Sequence, residues 1–225
     1  MKKALIAAAA LMVATPLTML AAQNWDATQA ATEGGHRMGN PAARTSLIAF
    51  ISYSCPHCAN FEAQSEGPLR LSYVQTGRVN VEVRSVIRNA IDIAATLAVE
   101  CGAEDRFWGN HRAMFRAQGR WLATATAANG TQQARWRSGP FGARMRAIAS
   151  DLDFYAVMEP RGYSATQLDQ CLNNEAEMRR IVDTANADNL RWNIPGTPSF
   201  ALNGTMLPDV HDWSALQPHL APRGR

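Results

Sequence analysis

Apolar positions recur with two different periods along the chain, and the changes of period mark out its elements. Thr45-Ser-Leu-Ile-Ala-Phe-Ile-Ser-Tyr-Ser54 is a β-rich run of strand length. Cys55-Pro-His-Cys58 follows at once, and then a mixed polar and apolar segment to about Tyr73 that suits a helix. A second strand is predicted from Val79 to Ile87, after the break at Thr76-Gly77. Together these predict a right-handed β-α-β unit with parallel strands, the two cysteines lying where the first strand passes into the crossover helix. From about Asn89 to Leu190 no run reads as a strand, and apolar residues recur at three- and four-residue steps, which predicts an inserted helical domain. Ser164-Ala-Thr-Gln167 has the form of a capping box, so a helix is expected to start there with Leu168, Cys171 and Leu172 on one face. After Trp192 the pattern changes again. Two short apolar runs flank Asn203-Gly204, a strong hairpin signal, and Asp212 to Pro218 reads as a short closing helix.

The two ends of the segment before Thr45 carry different information. Met1 to Gln23 opens with Lys2 and Lys3, continues as an apolar run from Ala4 to Leu20, and ends in Ala21 and Ala22, which is the pattern of a secretory signal over 1–22. A membrane anchor is the alternative, but the apolar run as a helix reaches only about 25 Å, short of the roughly 30 Å of hydrocarbon to be crossed. Gln23 stands where a lipoprotein would need Cys. Export to the periplasm is therefore expected. Residues 23–45, rich in Ala, Gly, Asn and Thr and without an apolar period, read as a flexible lead-in of low structure content. The main domain is then expected over 46–220, with its helical insertion at about 90–188.

Composition narrows the function. The chain has 225 residues, 47% of them hydrophobic and 18% charged, with a formal net charge of +3, values of an ordinary globular protein. Its only lysines are in the leader, so processing leaves 20 Arg against 19 acidic residues. Such a balance lacks the basic excess by which a dedicated nucleic-acid binder displaces counterions from phosphate.

Export also decides how the four cysteines are read, because an oxidising compartment permits disulfides. The two-residue gap favours pairing Cys55 with Cys58 and leaves Cys101 with Cys171. The second pair is expected to be a structural disulfide closing a long loop, worth about 4 kcal/mol on the chain-entropy argument, with free buried cysteines as the alternative. At Cys55, the first turn of a helix offers unpaired N–H groups and the positive end of a dipole, so Cys55 is the expected nucleophile. The dipole supplies only about 0.3 to 2 kcal/mol of the roughly 6 kcal/mol needed to bring a thiol pKa to about 4, so direct hydrogen bonds have to do most of the work. Pro56 suits the first helical position, and His57 can add a donor or a positive charge beside the sulfur. A stabilised thiolate makes the Cys55/Cys58 disulfide a strong oxidant. Zinc binding would require a second ligand pair that is missing, a c-type haem would require His where Ala59 stands, and a purely structural disulfide in so short a loop would be strained. Thiol-disulfide exchange without metal or other cofactor is the expected chemistry. His36, His111, His211 and His219 share no ligand spacing and read as structural or solvated, and Phe107, Trp108, Met114 and Phe115 as insertion core rather than a peptide groove.

Phe50-Ile-Ser-Tyr-Ser-Cys-Pro-His-Cys58 and, far downstream, Ile194-Pro-Gly-Thr-Pro-Ser-Phe-Ala-Leu-Asn-Gly204 resemble the DsbA-type branch of the thioredoxin superfamily. Arg106 to Phe115 looks like the first insertion helices of its members. The resemblance implies an α/β thioredoxin fold with an inserted α-helical domain. It makes Pro198 a cis-proline packed against the cysteine pair and Thr197 the residue whose backbone pairs with substrate. It further implies a periplasmic protein disulfide oxidase acting on exported proteins with free thiols, reoxidised by a DsbB-like, quinone-coupled membrane protein. A monomer is expected. A reductase or isomerase on the same fold, and a non-catalytic holdase or metallochaperone, are the alternatives. One departure stands out: six residues before the nucleophile the family often has a buried acid, and this chain has Ala49, so Cys58 is expected to lose its proton with less help.

Overall fold

The computed structural model describes residues 23–220; the expected leader at 1–22 lies outside the described residues. A six-stranded mixed sheet runs in the order β1-β2-β4-β3-β5-β6, with β1 Gln29–Ala31, β2 His36–Met38, β3 Thr45–Ile51, β4 Val79–Ser85, β5 Ser199–Leu202 and β6 Thr205–Met206. Central β3 pairs parallel with β4, from Thr45 opposite Val79 to Ile51 opposite Ser85, and antiparallel with β5. The crossover between the parallel strands is α1, Pro56–Leu69, extended by a wider turn over Arg70–Val74. Both predicted parallel strands and their crossover helix are present.

Alternation along β3 divides the core, as a pleated strand requires. Leu47, Ala49 and Ile51 join the large cluster with Phe61 and Leu69 of α1, whereas Ile48 and Phe50 pack on the opposite face with Ala201, Trp192 and Ile194. The insertion comprises α2 Ala90–Val99, α3 Phe107–Thr126, α4 Gly130–Arg137, α5 Phe141–Asp151, α6 Phe154–Met158, α7 Ala165–Leu172 and α8 Glu175–Trp192. Several of these helices start where side chains cap them. Asn89 accepts from Ile91 and Asp92, and Asn129 and Ser164 each make a full capping box. Phe107, Trp108, Met114 and Phe115 are buried in the large core cluster that joins the insertion to the sheet domain. Cys101, just past α2, is bonded to Cys171 of α7. The closing helix is α9, Trp213–Leu220, and Asn203 and Gly204, both at positive φ, make the turn between β5 and β6.

Residues 23–45 require a correction. The lead-in expected to be flexible and of low structure content contains β1 and β2, which pair antiparallel with each other and add to the β4 edge, His36 opposite Val83 and Met38 opposite Val81. Strands of three residues are too short for a period to show, and their stability comes from outside the segment. The Thr32 hydroxyl donates to Glu82 at 2.8 Å. At Gly35 the backbone lies so close to β4 that a Cβ would come within 2.0 Å of the Val83 carbonyl oxygen.

Candidate active site

Cys55 is the N-cap of α1, with extended backbone angles, and Pro56 begins the helix. The Cys55 N–H donates to Ser52 O at 3.1 Å, and its own carbonyl accepts from Cys58 N and Ala59 N, which turns the chain from β3 directly into the helix. Both thiols are free and buried, Cys55 at 3% exposure and Cys58 at 0%. The segment before β5 comes back across them. Thr197 and Pro198 are joined by a cis peptide bond, and the Cys55 thiol donates to the Thr197 carbonyl at 3.1 Å. Cys55, Cys58, Pro56, Thr197 and Pro198 are thus brought together across more than half the chain length.

The two sulfurs differ sharply in proton affinity. A hydrogen bond from the Cys58 thiol is the largest influence on Cys55; it outweighs the upward push of burial with help from the Thr197 side chain and the Cys58 and His57 backbone N–H groups, and lowers the pKa from 9.0 to about 5. Cys58 goes far the other way, because burial and the neighbouring Cys55 both disfavour its thiolate. Direct hydrogen bonds dominate at Cys55, as the small size of the dipole contribution requires. His57 contributes through its main chain, and its side chain is exposed. Ala49 is buried in the sheet between Val83 and Phe200.

Alkylation of the reduced protein is expected to rise with pH around a midpoint near 5 and to be flat by about pH 7, since the thiolate is the nucleophile. A thiol whose folded pKa is depressed contributes stability above its unfolded pKa, and that contribution is lost as pH falls from about 9 toward 5. The disulfide form has no such titration. The gap in melting temperature between reduced and oxidised protein should therefore shift against the reduced form as pH falls over that range, and calorimetry of both forms checks the sign.

Three buried polar residues surround the loop, of which the sequence reading names only His111, as structural or solvated. Gln118 of α3 donates to the carbonyls of Tyr53 and Cys55 at 2.7 and 2.8 Å, tying the insertion to the loop. His111, on the same helix and 1% exposed, places Nδ1 2.9 Å from the Tyr53 hydroxyl and Nε2 3.4 Å from Glu62. Burial pushes Glu62 up, but His111, Arg112 and Arg116 outweigh it and hold the carboxyl below its ordinary value. Burial likewise keeps Tyr53 protonated. Asp92, 0% exposed, accepts from the Ser52 hydroxyl and the Ser54 N–H at 2.8 Å and from Arg88 N at 3.0 Å. Of the three, Asp92 had a sequence signal, an acid in the first turn after the Asn89 cap; long-range partners of Gln118 and His111 leave none. Among the remaining histidines, His36 stacks on Phe107 and His211 Nδ1 lies 2.8 Å from the Pro198 carbonyl. No cluster of three metal-ligating side chains occurs among the described residues.

The thioredoxin family model matches residues 31–221. The chain belongs to the thioredoxin family. It is similar to a structure described as a protein-disulfide isomerase from Novosphingobium aromaticivorans, at 40% identity over 83% of this chain and 96% of that one, with a TM-score of 0.80. Wolbachia pipientis alpha-DsbA1 shares the fold at 15% identity and a TM-score of 0.65, over 82% of this chain and 87% of that one. A Rickettsia typhi protein, provisionally named a protein-disulfide oxidoreductase, is 23% identical over 168 residues. That match takes in 74% of this chain and 54% of the relative, so the chain spans about half the length of the curated relatives it matches. In this thioredoxin-family chain the β-α-β unit and β5 carry the cysteines and the Thr197-Pro198 loop, and the helices from α2 to α8 are inserted between them.

Proposed function

We propose that this thioredoxin-family protein is a thiol:disulfide oxidoreductase that acts as an oxidase of exported proteins in the periplasm. The observation that carries the reading is the placement of the pair, Cys55 at the N-cap of α1 with its sulfur 3.1 Å from the Thr197 carbonyl and Cys58 fully buried beneath the first turn, which lowers the Cys55 pKa to about 5 and pushes that of Cys58 up. A client thiolate attacks the Cys55 sulfur of the disulfide form, the Cys55–Cys58 bond breaks, and its electron pair leaves on Cys58, which takes up a proton. A second client thiolate then attacks the client sulfur of the mixed disulfide. Cys55 departs as the stabilised thiolate, so two electrons pass to the protein and the client leaves oxidised. Pro56 starts the helix that supplies N–H groups to the Cys55 sulfur, and Pro198 shapes the loop that sets Thr197 against it. Thr197 backbone groups are the natural pairing partners for an extended client strand. No helix among the described residues is long and apolar enough to cross a membrane. Return of the disulfide falls to a quinone-coupled membrane protein of DsbB type.

An isomerase or reductase role is the second reading, favoured by the name of the Novosphingobium structure. The equilibrium reduction potential in glutathione buffers separates the two. An oxidase is expected well above the thioredoxin range, toward about −120 mV; a value at or below about −250 mV would reverse the assigned direction of electron flow.

A further inference from the structure

Beside the nucleophile lies a shallow depression of about 420 Å³ that the exchange chemistry does not use, lined by Ser54, Arg88, Asn89, Ile91, Leu122 and Ala125 together with Thr126. Arg88 is the only charged residue in that lining. It is rigidly held: Nε donates to Ser52 Oγ and Nη2 to Ser54 Oγ, each at 3.0 Å. Its counter-charge is Asp92, 3.8 Å away. The pair is unevenly placed, with the Arg88 side chain 43% exposed and that of Asp92 at 0%. The Asp92 oxygens are taken up from beneath by the Ser52 hydroxyl and the Ser54 and Arg88 N–H groups. The ion pair therefore presents its positive end to solvent, while Ile91, Leu122 and Ala125 give the depression an apolar wall.

The depression also lies next to the reacting centre along the chain. Ser54 immediately precedes Cys55, and Leu122 lies one turn of α3 beyond Gln118, which holds the Cys55 carbonyl. One helical turn is about 5.4 Å, and an extended chain advances about 3.3 Å per residue. A client whose cysteine sits on Cys55 can thus place a residue two or three positions away in the depression.

We propose that Arg88 is a specificity-determining residue, selecting clients that carry an acidic side chain with an apolar stem, Glu above all, within about three residues of the reacting cysteine. The inference rests on the oxidase reading above. The test uses oxidised protein and three reduced single-cysteine peptides that differ only in Glu, Gln or Lys at the positions two and three residues from the cysteine. The rate of mixed-disulfide formation is read by stopped flow. Flanking charge also alters the peptide's own thiol, so the readout is the Glu-to-Lys rate ratio of the wild type divided by that of Arg88→Gln, in which the peptide's intrinsic effect cancels. An exposed ion pair corresponds to a roughly two- to fivefold effect, and that is the expected drop in the ratio. Arg88→Lys should restore part of it, and 0.5 M salt should erase it. Thr126→Glu, an exposed position on the rim, leaves Arg88 in place and should lower the ratio as well. Equal ratios in wild type, Arg88→Gln and Thr126→Glu, with the Gln peptide oxidised normally, would overturn the selectivity alone. A Gln peptide that is not oxidised by the wild type would overturn the oxidase reading and the selectivity with it.

Discussion

Replacing Cys58 with alanine is expected to turn the protein into a covalent trap. Cys55 keeps the lesser of its thiolate-favouring influences, Thr197 and the Cys58 and His57 backbone N–H groups, and loses the largest, the hydrogen bond from the Cys58 thiol. Its pKa should therefore rise from about 5 but stay below that of an ordinary thiol. The variant can form a mixed disulfide by attack of the Cys55 thiolate on an existing disulfide, of a client or of oxidised glutathione, whose other sulfur leaves as thiolate. It cannot release one by attack from Cys58, the sulfur that lies beside Cys55 in the wild type. Non-reducing electrophoresis of the variant should show adducts at Cys55 that vanish on reduction, and turnover of a dithiol peptide should fall by orders of magnitude. Cys55→Ala should form no adduct at all. Adducts through Cys58 in the Cys55→Ala variant would contradict the assignment of the nucleophile, since Cys58 is buried and its thiolate disfavoured.

The second large effect concerns stability. Cys101 and Cys171 are bonded at a sequence separation of 70 and pin the end of α2 to α7. Closing a loop of that length removes conformational entropy from the unfolded chain worth about 4 kcal/mol, on the chain-entropy account. At roughly 2 to 4 °C per kcal/mol for a domain of this size, Cys101→Ser with Cys171→Ser should lower the melting temperature by about 8 to 16 °C. The reaction should be spared. Neither sulfur takes part in the interactions that set the Cys55 pKa, so the alkylation midpoint near 5 should not move in the folded double variant. A midpoint that moved with the melting temperature would show that the insertion's staple also positions the site.

Much of this architecture is legible in the sequence, and the reason is locality. A strand leading into Ser54, a helix opening on Pro56, a capping box at Ser164 and a hairpin at Asn203-Gly204 are each specified by neighbouring residues, and each is present. Periods of two and of three to four residues likewise separated the sheet from the inserted helices. Where local signals were absent, the expectation erred. Residues 23–45 have no period because β1 and β2 have three residues each, and they are strands because β4 offers an edge and Gly35 lets the backbone approach it.

The candidate site divides in the same way. The cysteine spacing and the helix start at Pro56 already point to Cys55 as the candidate nucleophile, since a thiol at a helix N-terminus meets unpaired N–H groups whatever the rest of the chain does. The magnitude of the effect came from elsewhere. The Thr197 carbonyl against the Cys55 sulfur, Gln118 on the loop carbonyls, His111 under Tyr53 and Asp92 beneath Ser52 and Ser54 all reach the loop across tens of residues or more. Hydrogen bonds and burial depend on distance in space and not along the chain. Sequence alone therefore determined the longer elements and the place of the candidate cysteine pair at a helix start, and only the tertiary structure decided the short edge strands, which polar groups surround that pair and in which directions they drive its two proton affinities.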